Sequence, residues 1–306
     1  MPSTVSPLLA GLAPVVELMR QHPAPRTPES EAYFTELIYR ICHGRQDSLR
    51  AGGPALGSDE TLAREFVARL SNANGGIGPE HDGWTLCAVE DDGRLAMELD
   101  GLMLWVDPQP GAEPGEPVRV RFPKEYRNLY PGHYVAIGDA DRGELSHPLR
   151  LYWNIGADGA ETLVRCVSEA FNRSKVPFRL KVLSQPAGYC RADAAILYIP
   201  SEHRGEAAAL IKEVYREMAR LMRPAVSAFV LPLAPGLGLA ENPPDRSSFG
   251  MHRSRLIALL LYDAFELSDP LAAVAAALET AGYRPDRFYL NPGSTESYEA
   301  FQIDAD

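Results

Sequence analysis

The sequence has few cysteines and no long apolar run. Its four cysteines lie far apart, with no CxxC pair and no histidine at ligand spacing, which argues against a disulfide framework and a structural zinc site. No stretch approaches the roughly 18 apolar residues of a membrane helix. No basic residue precedes Arg20, so the N-terminus does not resemble a secretory signal. We therefore expect a cytoplasmic protein without a membrane partner.

Several nucleotide and hydrolase motifs are also missing. The chain has no GxxxxGK[ST] phosphate loop, no GxSxG and no HExxH. Gly236 and Gly238 lack the third glycine of a dinucleotide loop, and Pro243 and Pro244 intervene before the next helix. The sequence therefore predicts neither a cofactor nor a bound metal.

An overall excess of basic charge is absent too. The net charge is -11, whereas a nonspecific nucleic-acid binder needs a basic footprint, so we expect no nucleic-acid partner. The charge is unevenly distributed, because residues 121–260 carry 19 Lys and Arg against 14 Asp and Glu. A locally basic middle within an acidic protein favours a small anionic ligand, although charged helix surfaces would produce the same balance.

What the chain does contain is ordinary globular material, with 306 residues of which 45% are hydrophobic. This length fits one large or two modest domains. The Pro, Gly and acid-rich stretch 107–116 is the best candidate for a boundary. It divides an N-terminal helical and meander region, 1–106, from an α/β core, 107–306, unless it is only a long hairpin loop within one continuous domain.

Hydrophobic periodicity predicts helices at 31–41 and 61–70 after a proline-rich arm or loop, HPAPRTPES. Short strand-like runs at 84–89, 94–99 and 102–106 predict a small antiparallel meander. Two further β-branched, aromatic-rich runs, VRVRFPKEY and HYVAIGDA, are typical of strands.

From Arg150 onward the predicted order is strand, helix, strand, strand, helix and strand, with the last strand at about 227–231. This order predicts an α+β fold built on a split β-α-β-β-α-β, ferredoxin-like sheet with helices on one face. The remaining elements are a loop at 233–246, helices at 247–265 and 269–281, and a strand and turn in RFYLNPGSTESY.

The strand PFRLKVL is the most informative stretch. Its alternation directs Phe178, Leu180 and Val182 to one face and two cations, Arg179 and Lys181, to the other.

The upstream strand RLYWNI repeats this alternation. Leu151 and Trp153 are apolar, and Arg150, Tyr152 and Asn154 lie opposite them. If both strands share a sheet in matching sense, their polar sides form one cationic, hydrogen-bonding surface.

Lys181 lies between two apolar residues, so its burial is costly unless the amine is used. Neighbouring Arg150, Arg179 or Arg191 would lower its pKa, which is how a lysine becomes a base. Two other interpretations stay open. The side chain could reach the sheet edge, or it could pair with Asp193.

The helix after the proline-rich loop is a candidate anion site. Ser248, His252 and Arg255 follow one another at i, i+4 and i+7 in its first turns, where backbone N–H groups and the dipole favour an anion. Alternatively, His252 borders the apolar stripe as an ordinary half-buried histidine.

Several long runs resemble a known family: FPKEYRNLYPGHYVAIGDA, LRLYWNIGADGAETLV, VPFRLKVL, YCRADAAILYI, LAPGLGLAENPPDRSSFGMHRSRL and YLNPGS. They resemble the HopA-type effector domain family, and most of all its biosynthetic members, the lyase components of class V lanthipeptide and thioamitide maturation. The resemblance spans roughly 71–294, and the first 60 residues carry no matching motif.

The resemblance implies a phosphoserine or phosphothreonine lyase. A separate kinase-like partner would phosphorylate a ribosomal precursor peptide, and this chain would eliminate the phosphate to leave dehydroalanine or dehydrobutyrine. For this reaction we expect Lys181 to act as the base and His252 to assist the leaving oxygen or bind phosphate, roles taken in part by analogy with unrelated phosphothreonine lyases. Tyr152 and Asn154 would orient the peptide carbonyl. The proposed phosphate ligands and supporting contacts are Lys124, Arg150, Arg179, Arg191, Asn242, Ser248 and Arg255.

Two alternatives of different kinds stay open. The chain could catalyse thioether closure in the same pathway, as a lanthionine cyclase. It could also be a non-catalytic effector or kinase accessory subunit that grips a phosphopeptide, which would need the arginines but no neutral Lys181.

Overall fold

The computed structural model describes residues 6–23, 25–46, 60–107, 113–127, 129–141, 145, 147–245 and 247–303. Within these ranges the chain forms seven α-helices and two antiparallel sheets of four and seven strands, so the α+β class is confirmed. The central residues 108–112 of the candidate boundary loop lie outside the described residues.

The N-terminal half contains three helices and the small sheet. Helix α2 begins sharply because the Thr27 hydroxyl accepts a hydrogen bond from the Ser30 amide, and Pro28 occupies the first turn. The bounds are α1 (Pro7–Gln21), α2 (Pro28–Ile38), α3 (Glu60–Ala73), β1 (Glu80–Val89), β2 (Leu95–Leu99), β3 (Leu102–Val106) and β4 (Pro117–Arg121).

The C-terminal half contains the large sheet and four helices. Helix α7 has a cap like that of α2, because the Asp269 carboxylate accepts from the Ala272 amide. The bounds are β5 (Glu125–Tyr126), β6 (His133–Ile137), β7 (Leu149–Trp153), α4 (Ala160–Arg173), β8 (Arg179–Leu183), β9 (Ala195–Ile199), α5 (Arg204–Met218), β10 (Leu231–Ala234), β11 (Leu237–Glu241), α6 (Phe249–Ala264) and α7 (Pro270–Thr280).

The small sheet has the order β3-β2-β1-β4. It contains the predicted meander and adds β4, which follows the loop 107–116 and pairs with β1. The strands that precede and follow that stretch therefore belong to one sheet, and the helices α1 and α2 pack with α6 and α7 in one apolar cluster. The proposed division at 106/107 stays a prediction.

The seven-stranded sheet has the order β10-β11-β7-β9-β8-β6-β5. Leu151, Leu180 and Leu197 share one face, which packs against α4 and α5 in the main apolar core. On the opposite face, α1, α2, α6 and α7 pack near Tyr152 and Ala240 at the β7 and β11 side. The polar face of β8 and β6 stays open to a cavity.

Three predicted elements differ from the structure. The predicted arm is preceded by an unforeseen helix, α1, and residues 287–298 form turns instead of a strand. The predicted loop 233–246 contains a fully buried strand, β11, and the strand expected at 227–231 begins only at Leu231. The ferredoxin-like identification of the unit stays a prediction.

Strand β11 was predicted as a loop because it contains and follows glycines, Gly238 and Gly236. Gly236 has a φ of +77° in the tight turn before it. A Cβ on Gly238 would lie 2.2 Å from Val230 Cγ2, so this strand requires a glycine for close packing. The pattern that indicated a loop is therefore the one that lets a hairpin pack beside β7.

Candidate functional site

A cavity of about 1510 Å³ opens over the polar face of the seven-stranded sheet. Strands β7 and β8 both pair antiparallel with β9, so they run in the same sense and their polar sides meet. Two cross-strand rows line the cavity floor, Tyr152–Ile196–Lys181–Val135 and Arg150–Tyr198–Arg179. The shared polar surface that the sequence pattern predicted is therefore present, and it faces this cavity.

Lys181 is half-buried at the centre of this floor. It forms no hydrogen bond or ion pair with any described residue, and its Nζ lies 5.1 Å from the centroid of the Tyr130 ring. Burial lowers the pKa of Lys181, and the charges of Arg150 and Arg191 lower it further. The amine therefore loses its proton more readily than an exposed lysine does.

Arg191 forms an ion pair with the buried carboxylate of Asp193. Its Nε donates to Asp193 Oδ1 at 2.5 Å, and its Nη2 donates to Asp193 Oδ2 and to the Tyr39 hydroxyl. Burial raises the pKa of Asp193, but the charge and hydrogen bonds of Arg191 outweigh burial and hold that pKa below its usual range. Asp193 is thus committed to Arg191 and does not pair with Lys181.

Arg150 is buried but has only neutral partners. Its Nε donates to Asn242 Oδ1 at 2.7 Å, and its Nη2 donates to the Ser247 carbonyl at 2.8 Å. Its guanidinium also lies over the Tyr198 ring, 5.4 Å from the centroid. Arg150 therefore fixes the loop before α6 and keeps a positive charge that no described acid neutralises.

Arg179 is largely occupied by a buried acid. Its Nε and Nη2 donate to the two carboxylate oxygens of Asp141, at 2.6 and 3.2 Å. Ser248 lies at the rim of the cavity at the start of α6 and makes no side-chain capping bond. Both residues line the cavity, but neither adds a free charge to it.

Four predicted site residues do not line this cavity. Lys124 donates to the Asn74 and Ser71 carbonyls, at 2.7 and 3.3 Å, and so caps the end of α3. Asn154 is buried and donates to the Ala225 carbonyl at 2.8 Å. Both side chains are committed to backbone oxygens, because the chain turns at these positions and leaves carbonyls without helical or strand partners.

The other two lie on α6. His252 is half-buried and contacts Arg253 at 3.2 Å, while Arg255 is exposed. Burial, and then the charge of Arg253, lower the pKa of His252. Of the three residues of the predicted anion site, only Ser248 lines the cavity, so that site stays a prediction and does not belong to this cavity.

The structure adds residues from the N-terminal segment that sequence reasoning missed. A five-residue π-helix, Tyr39–His43, continues α2 and brings both of its end residues to the cavity. The i, i+4 spacing of Tyr39 and His43 was a usable signal, since it places both on one helical face. Burial lowers the pKa of His43 to about 4, so this imidazole is neutral.

His133 is a second residue that was missed. It begins β6 and lines the cavity, and its Nδ1 lies 2.9 Å from the Pro131 carbonyl. An imidazole nitrogen facing a carbonyl must carry the proton, which leaves Nε2 as an acceptor. Burial, followed by the charge of Lys181, lowers the pKa of His133 to about 4.

Aromatic hydroxyls and one carboxylate complete the walls. The Tyr152 hydroxyl is buried close to the Arg150 guanidinium and has no hydrogen bond of full geometry to a described residue. Burial raises its pKa, and the nearby Arg150 opposes that shift. Glu241, on the opposite wall, accepts from the Asn291 amide, the Ser294 hydroxyl and the Tyr298 hydroxyl at 2.6, 2.6 and 3.0 Å. An unpartnered hydroxyl beside free cations can donate to a ligand oxygen.

The described ranges contain no group of three or more His, Cys, Asp or Glu side chains placed to hold a metal ion. They also contain no helix of the length and apolar character that crossing a bilayer requires.

Comparison with known proteins gives a family and two similar folds. A model of the HopA1 effector protein family matches residues 125–290. An effector protein from Pseudomonas syringae pv. tomato strain DC3000 has a TM-score of 0.52 and 19% identity, covering 93% of this chain and 98% of that chain. An effector protein from Pseudomonas syringae pv. syringae strain 61 has a TM-score of 0.52 and 18% identity, covering 94% and 98%. No curated protein matches the chain.

Proposed function

This chain belongs to the HopA1 effector protein family, and from that premise we propose that it is a lyase that removes phosphate from phosphoserine or phosphothreonine in a ribosomal precursor peptide. The products are dehydroalanine or dehydrobutyrine and inorganic phosphate. A separate kinase supplies the phosphorylated residue, which is the partner that the family resemblance implies.

The observation that carries this proposal is the pairing of the cavity cations. Arg179 and Arg191 each face a buried aspartate, whereas Arg150 and Lys181 form no ion pair with a described residue. The unpaired charge of Arg150 and the open side of Arg191 favour a dianion, which is the charge of a phosphate monoester near neutral pH, while Lys181 has no acid partner to hold its proton.

Lys181 is suited to act as the base. The reaction requires removal of the α-proton of the phosphorylated residue, and a general base works best when its pKa lies near the working pH. Burial, with help from Arg150 and Arg191, moves the pKa of Lys181 in that direction. The lack of an acid partner matters equally, because a paired lysine would stay protonated.

The elimination balances without a cofactor. The neutral amine of Lys181 takes the α-proton, the Cα–H electron pair forms the Cα=Cβ bond, and the Cβ–O bond breaks with its electrons on the phosphate. The bridging oxygen takes up a proton as the bond breaks, which the newly formed Lys181 ammonium can return, so the dianionic ester leaves as HPO4²⁻. Arg150 and the open side of Arg191 hold this product. The Tyr152 hydroxyl is placed to donate to the peptide carbonyl as the carbanion delocalises.

The direct experiment is incubation of the purified protein with a synthetic phosphothreonine peptide, followed by mass spectrometry. We expect loss of the mass of phosphoric acid, and a thiol added afterwards should couple to the new double bond. Hydrolysis would instead restore threonine, which does not react with the thiol. An unchanged phosphopeptide that binds tightly would favour the second candidate, a non-catalytic phosphopeptide binder, because the buried arginines need no neutral lysine to grip phosphate.

The pH dependence of kcat/KM should show the titration of Lys181. The base must be neutral, so we expect kcat/KM to fall as pH falls below the pKa of Lys181, with the inflection below the usual lysine value of about 10.4. Arg150→Met removes one of the charges that lower this pKa, and the inflection should move upward. A profile that is identical in the two proteins would contradict this electrostatic coupling.

A further inference from the structure

The N-terminal π-helix Tyr39–His43 lies outside the region that the family model matches, yet it forms part of the cavity wall. Its first residue, Tyr39, is separated from Asp193 by 154 positions in the sequence. The two side chains nevertheless meet, since the Tyr39 hydroxyl donates to Asp193 Oδ2 at 2.5 Å. The π-helix therefore contributes a side chain to the charged part of the site, in addition to packing against the rest of the fold.

The contacts of Arg191 fix the orientation of its guanidinium group. Nε and Nη2 are committed to Asp193 and to the Tyr39 hydroxyl, and the guanidinium carbon lies 5.2 Å from the centroid of the Tyr39 ring. Nη1 has no partner among the described residues, and the side chain keeps 27% of its surface exposed. A guanidinium held along one edge presents its remaining N–H groups in a fixed direction, which is toward the cavity.

Asp193 accepts hydrogen bonds from Arg191 and Tyr39, and a buried imidazole lies beside it. Besides Arg191 and Tyr39, His43 Nε2 lies 3.6 Å from Oδ2, and His43 Nδ1 lies 2.8 Å from the Ser227 hydroxyl oxygen. Asp193 and His43 are both nearly inaccessible to solvent. The carboxylate is therefore held in a nearly inaccessible cluster, and one of its two donors comes from the π-helix.

We infer that Tyr39 is a positioning residue, which orients Arg191 through Asp193 so that its free N–H groups receive the phosphate of the substrate. This inference rests on the proposed function only in taking a phosphate ester as the ligand, and it does not require elimination to occur. It makes the N-terminal helical segment a component of the phosphate site.

A glycine on α6 supports the same arrangement. A Cβ on Gly250 would lie 2.3 Å from His43 Cδ2 and 2.6 Å from Tyr39 Cε2. The helix therefore passes so close to these two rings that any side chain would displace them. Gly250→Ala thus perturbs the orientation of Arg191 without removing a polar group from the network.

The test measures discrimination between two probes by isothermal titration calorimetry on the full chain. The probes are the blocked tripeptide Gly-phosphothreonine-Gly and its unphosphorylated twin. For Tyr39→Phe, which keeps the ring and removes the hydroxyl, we expect roughly tenfold weaker binding of the phosphorylated probe and unchanged binding of its twin. Gly250→Ala should reduce the same ratio. Tyr33→Phe on α2 and Gly205→Ala on α5, where an added Cβ meets nothing within 4 Å, are the matched controls.

The outcomes separate this inference from the proposed reaction. If Tyr39→Phe prefers the phosphorylated probe over its twin by the same factor as the wild type, the positioning role is overturned. Equal affinity of the wild type for both probes overturns it as well, because the site would then not recognise the phosphate group. Loss of discrimination in Tyr39→Phe supports it even if the wild type leaves the phosphate in place, a result that would count against the lyase alone.

Discussion

Lys181→Ala should abolish phosphate elimination while leaving the protein folded. A general base contributes about 10²–10⁴ to a rate, and this cavity offers no equally placed amine among the described residues. The substitution also removes a half-buried cation that has no acid partner, so the cost of burying that charge disappears. We expect a single-turnover rate at least about a hundredfold lower and a melting temperature that is unchanged or slightly higher.

A second substitution separates the base from the charge. Lys181→Arg keeps the cation but cannot lose its proton near neutral pH, so it should bind phosphopeptide and fail to eliminate phosphate. Lys212→Ala, on α5 and outside the cavity, is the matched control and should react normally. A wild-type rate in Lys181→Ala would remove this residue as the base and direct attention to the neutral His133, whose Nε2 lone pair is available.

The polar face of the sheet could be predicted because a strand has a period of two. Alternation alone placed Lys181 and Arg179 opposite Leu180, and Arg150 and Tyr152 opposite Leu151, and the cross-strand registers confirm this. What alternation could not show is that β9 lies between the two strands. The order of strands in a sheet depends on how helices pack across it, which no local pattern records.

The cavity residues Tyr39 and His43 were missed from the sequence for a different reason. The pairing of Tyr39 with Asp193 joins segments 154 positions apart, and neither residue forms a motif with its own neighbours. The predicted helix also ended at Ile41, two residues before His43, because a π-helical continuation has no hydrophobic periodicity of its own. The errors at Lys124 and Asn154 have a common origin, since sequence cannot show which backbone carbonyls lack partners.

Five cations line the cavity, and one of them, Arg204, pairs with the lining carboxylate of Glu296. The partners of the other four give them separate tasks. Arg191 and Arg179 are anchored by buried acids and therefore define directions, whereas Arg150 keeps an unpaired charge for a ligand and Lys181 has no described acid partner. Rigid, neutralised arginines provide geometry, and uncompensated cations provide attraction. A site assembled in this way can select a dianion while leaving one amine able to lose its proton.

Asp193→Ala should be the most destabilising single change in the site. It leaves the Arg191 guanidinium without its counter-charge and removes the acceptor of the Tyr39 hydroxyl, all within a nearly inaccessible cluster. Breaking a buried ion pair by removing one partner typically costs about 3–5 kcal/mol. We expect a loss of that size in the free energy of unfolding, measured by urea denaturation at neutral pH.

The matched control is Asp263→Ala, which removes an exposed carboxylate 3.4 Å from Arg26. An exposed pair contributes about 0.2–1 kcal/mol, so the losses in free energy of unfolding caused by the two substitutions should differ severalfold.

The pKa of Asp193 is depressed in the folded protein. Its contribution to the free energy of unfolding is therefore complete above the unfolded pKa of about 3.9 and is lost as pH falls further. The stability difference between wild type and Asp193→Ala should therefore persist from neutral pH down to about 4 and narrow only below it. Equal destabilisation by the two substitutions would show that the Arg191–Asp193 pair does not hold the site together.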